Sequence, residues 1–345
     1  MRIIPISLLL TLGLSANIQF AFAQPAPAGQ PRLVGGLPVE SVTVVGIKPS
    51  QETIKNFVEK RAAPTPVLNK MARWDLRVCP ITTGLGNTYA KYITQRIRDV
   101  ATAVGARVNA DPDCRPNIEV VFTTAPQGLL DNVRKTQPML LGYHYNDREA
   151  DQLATVTHPI QAWYATETID FDGSRMIQDL TCRESGATMN TTANAPIGVF
   201  SSIGTDTMHG EAGLTPAGFQ LSPCAIVVHA SGSRINNGLS NGFFNVLIVV
   251  EPGKLLDYEI GSLADYVTML ALSQAPSLDS CQQLPSISNM LAKGCGSVPS
   301  RITDGDLAYL RALYKMPDGT SLEIQRDEIR LEMQKTLVTD KGGAN

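Results

Sequence analysis

The run Val246-Leu-Ile-Val-Val250, closed by Pro252-Gly253 and followed by the apolar block Ile260–Gln274, constrains this chain more than any other feature. A short, continuous β-branched run suits a strand covered on both faces, and Pro-Gly ends it. The block that follows reads as a helix. Ser262 suits an N-cap, and Asp265 three residues on completes a capping-box-like pattern. Leu263, Tyr266, Val267, Leu270 and Leu272 then recur at helical spacing, and Pro276 bars continuation. The spacing predicts a largely buried helix over Ser262–Gln274, around which the remaining elements must pack.

Downstream come Leu284-Pro-Ser-Ile-Ser-Asn-Met290 and Thr303-Asp-Gly-Asp-Leu-Ala-Tyr-Leu-Arg-Ala-Leu-Tyr314. Strand, helix, Pro-Ser-Ile turn and closing helix, in that order, resemble the C-terminal half of a metzincin zinc peptidase, whose helix reads H-E-x-x-H-x-x-G-x-x-H. The resemblance implies a zincin-like α/β (α+β) fold: a mixed twisted sheet with an organising helix, a turn and a closing helix. Laid on that pattern, the three zinc histidines fall on Ala264, Thr268 and Gln274, and the general base on Asp265. The helix glycine falls on Ala271 and the turn methionine on Ser288. The frame is kept and the ligands are not, so the resemblance implies a zincin shell without its zinc, and with no other cofactor. Trp74 to Pro80, a Trp-x4-Cys-Pro start, also resembles a group of exported bacterial proteins, a likeness that implies no activity.

Arg2, the apolar run Ile3–Leu14 and the small-residue exit Ala21-Phe-Ala23 read as a secretory signal peptide over residues 1–23. Its removal takes away Arg2 and moves the formal net charge from −3 to −4. No later window approaches a membrane span. Lys and Arg are dispersed, without a basic cluster or an aromatic stacking platform, which excludes a nucleic-acid surface. A periplasmic or secreted protein follows. Its six cysteines, Cys79, Cys114, Cys182, Cys224, Cys281 and Cys295, then read as three disulfides. Pairing within local units gives Cys79–Cys114, Cys182–Cys224 and Cys281–Cys295.

Residues 24–65 read as a flexible leader and accessory segment, with a strand in Val39–Ile47 and a short helix over Gln51–Arg61. The zincin-like domain is expected over residues 66–316, with an irregular insertion at 170–221, and a C-terminal helix and loose tail over 317–345. Arg73–Val78 suits a strand. Asn87–Val104 is an amphipathic helix with Tyr89, Ile93, Ile97, Val100 and Val104 on one face, ended by Gly105. Asn117–Phe122 is a second strand, and strand–helix–strand of this length implies parallel pairing. Gly128–Lys135 suits a helix, and Ile160–Thr168 a strand with Ile160, Ala162 and Tyr164 on one face. Ala225–His229 and Phe243–Val250 suit a hairpin at one edge of the sheet. Leu322, Ile329, Met333 and Leu337 would dock the C-terminal helix.

The four histidines, His144, His158, His209 and His229, do not form a two-histidine helical motif, and read as ordinary surface or strand residues. A rearranged metal site, such as His144 with Asp147, is the competing enzyme reading. Gly238-Leu-Ser-Asn-Gly242 satisfies G-x-S-x-G, but a Gly/Asn-rich loop precedes it and a strand follows, which is not the strand–turn–helix that exposes a nucleophile. Asp111 with Asp113 and Asp170 with Asp172 read as turn formers. The resulting expectation is a non-catalytic pseudopeptidase that binds a peptide or protein in a shallow groove lined by Ala264, Asp265, Thr268 and Gln274. The alternatives are a hydrolase with a rearranged metal site or an unrelated nucleophile, and a structural cell-envelope component.

Overall fold

A computed structural model describes residues 49–177, 235–296 and 298–339, together with residues 33, 34, 37, 38, 230 and 233. The expected signal peptide, the strand in Val39–Ile47, most of the insertion, the strand Ala225–His229, the Cys182–Cys224 pair, His209, His229 and the last residues lie outside this set. Contacts divide the chain into residues 1–47 and 48–345. In the first unit, β1 (Leu33–Val34) pairs antiparallel with β2 (Leu37–Pro38).

The second unit is a mixed α/β domain. Its first helix, α1 (Gln51–Arg61), is capped by Ser50, whose hydroxyl accepts from the amide of Thr53. Ile54, Phe57 and Val58 carry α1 into the main core, so the latter part of the expected accessory segment belongs to the body. Then follow β3 (Ala72–Arg73), β4 (Pro80–Thr83), α2 (Asn87–Val104) and β5 (Ile118–Phe122). Next come α3 (Pro126–Thr136), α4 (Asp147–Leu153), β6 (Ile160–Ile169), β7 (Arg175–Ile177), β8 (Ser240–Val250), α5 (Ile260–Leu272), α6 (Asp304–Lys315) and α7 (Leu322–Thr339).

The strands form one sheet in the order β4-β5-β8-β6-β7, with β3 joining the start of β8. β4–β5, β5–β8 and β3–β8 are parallel; β6–β8 and β6–β7 are antiparallel. Of the expected strand Arg73–Val78, only Arg73 lies in a strand, while Val78 forms an isolated bridge to Val108. β4 begins at Pro80 and reaches α2 through Gly84, whose φ of +82° sets its Cα against the Phe122 carbonyl. Gly105, at φ +91°, ends α2 as the spacing predicts.

β8 lies between β5 and β6 and is central, not at an edge as the sequence suggested. Its all-apolar run is the reason: Val246, Ile248 and Val250 face one core, while Leu247 and Val249 face the other. The first core holds α1, α2, α5, α6 and α7; the second is roofed by Leu130 and Val133 of α3. Within the first, Ile93, Ile97 and Val100 of α2 pack against α5. A bulge between Ala165 and Thr166 shifts the β6–β8 register. Trp74 and Tyr164 each lie against Phe243, at ring centroids of 5.5 and 5.6 Å.

α5 is buried from Gly261 to Leu272 on every side, as a helix apolar all round must be. It starts two residues before Ser262, and Glu259 is its N-cap. The expected capping box is absent, because Ser262 Oγ donates to the Ser300 carbonyl at 2.7 Å and Asp265 is engaged elsewhere. That device occurs instead on α6, where Thr303 and Asp306 cap each other reciprocally. α5 also stops short of Gln274, at Leu272.

Two disulfides, Cys79–Cys114 and Cys281–Cys295, match the expected pairing. No helix among the described residues is long and apolar enough to cross a membrane.

Candidate functional site: a polar cleft at the head of β8

The residues expected to line a groove beside α5 do not line one. Ala264, Asp265 and Thr268 are each 0% exposed. Asp265 accepts from Arg96 Nε at 2.5 Å and from the Ile302 amide at 2.9 Å. Thr268 Oγ1 donates to the Ala264 carbonyl one turn back, at 2.7 Å. Gln274 lies past the helix end and is half-buried. The face that carries ligands in a metzincin helix is here packed against α2 and the segment before α6. The groove expectation is not met: the small Ala264 and Thr268 side chains let neighbouring elements approach closely, and Arg96 of α2 and the Ile302 amide close over Asp265.

The C-terminal end of α5 is equally closed. The carbonyls of Leu270, Ala271 and Leu272 accept from Tyr164 Oη at 2.9 Å, Trp74 Nε1 at 2.8 Å and Tyr314 Oη at 3.0 Å. A buried helix end cannot leave these acceptors unpaired, and three aromatic donors from β6, the β3–β4 connection and α6 supply the partners. Arg61, buried at the end of α1, sends Nη2 to Ser273 Oγ at 3.4 Å and places its positive charge at the negative end of α5. Burial pushes the Tyr266 and Tyr309 hydroxyls up to about 12, against a smaller opposing effect of Arg61.

The other candidates are also engaged. His144 is buried with Nδ1 2.7 Å from the Gly142 carbonyl. Asp147 pairs with Arg134 at 2.9 Å. His158 faces Asp279. Asp111 Oδ1 accepts from the Asp113 amide, and Asp170 Oδ1 from those of Asp172 and Ser174, so both pairs form turns as expected. Ser240 begins β8, and no helix follows it. Among the described residues, no three His, Cys, Asp or Glu side chains are placed to hold a metal ion together.

An open cleft of about 400 Å³ lies where β3, β6, β7 and the loop into β8 meet. Arg73, Asp75, Asp170, Phe171, Arg175, Asn236, Ser240, Asn241 and Asp318 contribute to its walls. No family model, curated protein or solved structure matches the chain. What the cleft can hold follows from its chemistry.

Each wall is held by bonds that the local sequence dictates. Arg73 Nη1 donates to the Leu313 and Met316 carbonyls at 3.2 and 2.5 Å, closing the C-terminal end of α6, and its Nη2 holds Asp318 at 2.6 Å. Lys70, buried beneath the loop, gives its ammonium to Asn237 Oδ1, the Leu239 carbonyl and the Gly319 carbonyl at 2.6, 2.5 and 2.8 Å. Three donors meet three acceptors, and burial lowers the lysine's pKa. Asn236 Nδ2 ties the loop to the Asp318 carbonyl at 3.0 Å.

On the opposite wall, charges alternate from solvent inward. Arg107 pairs with Asp75, Asp75 with Arg175, and Arg175 with Glu167. Glu167 is buried on β6 opposite Gly242 of β8. A Cβ at Gly242 would stand 3.1 Å from Glu167 Oε1, so glycine leaves the carboxylate room to lie across the strand. Burial raises the Glu167 pKa more than the charge of Arg175 and its hydrogen bond lower it.

Sequence reasoning missed this site. Lys70, Arg73 and Asp75, then Glu167 and Arg175, then Asp318 come from three separate stretches of the chain and form no spaced motif. The available signals were a charged residue inside each of two strand-like runs, Arg73 and Glu167, and the Gly/Asn loop at 236–242.

Proposed function

We propose that this chain is an exported, non-catalytic binding protein with a zincin-like arrangement, and that it holds a small polar ligand in the cleft at the head of β8. The observation that carries the reading is the contrast between the packed α5 positions and an open polar cleft. The positions where a metzincin places its histidines and glutamate are packed into the core, with Asp265 bound to Arg96 and the Ile302 amide. An open polar volume lies instead where β3, β6, β7 and the loop into β8 meet. A cleft of about 400 Å³ fits the lower part of the range of roughly 300–1,000 Å³ typical of small-molecule sites. Because α5 is buried from Gly261 to Leu272, the ligand is placed in the cleft and not beside α5, where the sequence reading puts a peptide or protein. The two disulfides, and residues 1–23 read as a signal peptide, support export.

The test is native mass spectrometry of untagged protein, incubated with separate pools of peptides, amino acids and oligosaccharides. The expected result is a one-to-one adduct of unchanged ligand mass that is lost in Asp318→Ala. Ligand turnover would overturn the non-catalytic reading, as would one equivalent of zinc lost together with activity on chelation. Absence of any adduct would remove the cleft as a binding site.

A further inference from the structure

We infer that the Cys79–Cys114 disulfide is a site of thiol–disulfide exchange with an external dithiol, and that Cys114 is the sulfur that exchanges. Neither cysteine lines the cleft. The deciding contact is with Arg98 of α2. Its Nη2 stands 3.6 Å from Cys114 Sγ, while its Nη1 donates to the Asn109 carbonyl at 2.7 Å and fixes the guanidinium beside the sulfur. No other cysteine sulfur among the described residues accepts from a charged group; Cys281 Sγ faces the Lys293 carbonyl at 3.7 Å. A cation in contact with a sulfur stabilises its thiolate, which is both the nucleophile and the leaving group of exchange. Asp111, Asp113 and Arg115, the other charged residues of this loop, are exposed, so water screens them more than the half-buried Arg98.

The two sulfurs also differ in access and in what surrounds them. Cys79 is 3% exposed just before β4, whereas Cys114 is half-buried on the loop into β5. An incoming thiolate therefore reaches Cys114 Sγ first. Cys79 Sγ lies 2.9 Å from the Cys114 carbonyl oxygen, so a thiol formed there has an acceptor in place and keeps its proton. The backbone of Cys79 is held without the disulfide. Its amide donates to Asn117 Oδ1 at 2.7 Å, its carbonyl accepts from the Asn117 amide at 3.1 Å, and β4 and β5 pair directly beyond. The reduced chain thus keeps the two cysteines near each other and can re-form the same bond.

The exchange runs in two displacements. The first sulfur of the dithiol, as thiolate, attacks Cys114 Sγ. An S–S bond forms between them, the Cys79–Cys114 bond breaks, and the Cys79 sulfur leaves with the electron pair and takes up a proton. The second sulfur of the dithiol, also as thiolate, then attacks the first. The external disulfide closes and Cys114 leaves as a thiolate beside Arg98. Two electrons pass from the dithiol to this chain; of the dithiol's two protons, one ends on Cys79 and the other goes to solvent. Run backwards, the same steps reduce an external disulfide.

The experiment is timed reduction of the intact, folded chain by dithiothreitol, with free thiols trapped by alkylation and each cysteine located by peptide mapping. Cys79–Cys114 should open at least about tenfold faster than Cys281–Cys295. In the chain so reduced, iodoacetamide at about pH 6.5 should label Cys114 well before Cys79. Arg98→Met should slow both the opening and the labelling of Cys114 by about threefold or more, with unfolding curves to verify that it folds as the parent does. The comparison between the two disulfides uses the parent protein alone, so it decides the matter even where the variant does not fold. Opening of Cys281–Cys295 first or at an equal rate overturns the inference, as does earlier labelling of Cys79. Unchanged Cys114 reactivity in folded Arg98→Met overturns it too.

Discussion

Arg96 on α2 places its Nε 2.5 Å from Oδ1 of Asp265, in the middle of α5, and the two ends of this ion pair differ sharply in their access to water. The Asp265 side chain is 0% exposed and that of Arg96 is 30% exposed. Losing Asp265 frees a cation that can turn outward, whereas losing Arg96 strands a carboxylate inside the core. Asp265→Ala should therefore cost about 2 kcal/mol, including the orphaned Ile302 amide, and Arg96→Met about 3–5 kcal/mol. The double variant Arg96→Met with Asp265→Leu should recover most of the loss. Urea unfolding measures all three, and equal costs for the two single variants would refute the asymmetry.

Installing histidines at the three aligned positions of α5 should not create a metal site. Ala264→His and Thr268→His place imidazoles where both native side chains are fully buried in a filled core. Together with Gln274→His, they should destabilise the fold by about 3 kcal/mol or more and bind no zinc. A stably folded triple variant carrying one equivalent of zinc would show that the space exists.

The aromatic capping of α5 predicts graded losses. Trp74→Phe keeps an aromatic ring against Phe243 but leaves the Ala271 carbonyl without its donor, and should cost about 1–3 kcal/mol. Tyr314→Phe removes only a hydroxyl from the Leu272 carbonyl and should cost about 1 kcal/mol. Amide exchange along the last turn of α5 should quicken in both. Unchanged exchange would mean that these donors do not hold the helix end.

Glu167 gives a pH dependence whose sign follows from its environment. Its folded pKa is raised, first by burial, so the native state holds this proton over a range where the unfolded chain has released it. Its effect on stability is therefore most favourable below the ordinary glutamate value and declines as pH rises through the higher folded value. Glu167→Gln, which keeps a hydrogen-bonding amide beside Arg175, should flatten that decline. Stability curves measured from pH 4 to pH 8 compare the two proteins; parallel curves would show that Glu167 does not set the slope.

Cross-linking is checked by peptide mapping without reduction, which should recover Cys79–Cys114 and Cys281–Cys295 as separate linked fragments. By loop length, removal of the first should cost roughly 4 kcal/mol and of the second roughly 3 kcal/mol. A larger loss from the shorter loop would point to packing, not chain entropy, as the main contribution.

Local pattern alone determined the elements whose signals are dense. α1 runs over Gln51–Arg61 and α2 over Asn87–Val104 with its glycine stop, as read from the sequence; α6 fills the expected closing-helix stretch, and α7 falls within residues 317–345, where a C-terminal helix was expected. Helical periodicity and turn residues act over a few positions, so the sequence carries them directly. The two disulfides were legible for the same reason, each closing a local unit. Position within the sheet was not. Phe243–Val250 reads as a strand anywhere, and only pairing with β5 on one side and β6 on the other makes it central. Asp265 reads equally as a helix cap or a groove carboxylate until α2 brings Arg96 to it. The cleft depends still more on the tertiary fold. Lys70, Glu167, Arg175 and Asp318 each read as an ordinary charge, and it is the meeting of the strand ends and the loop into β8 that turns them into a paired, half-enclosed surface. Ion pairs and cavities are set by distances between segments remote in the chain, which no periodicity in the chain encodes.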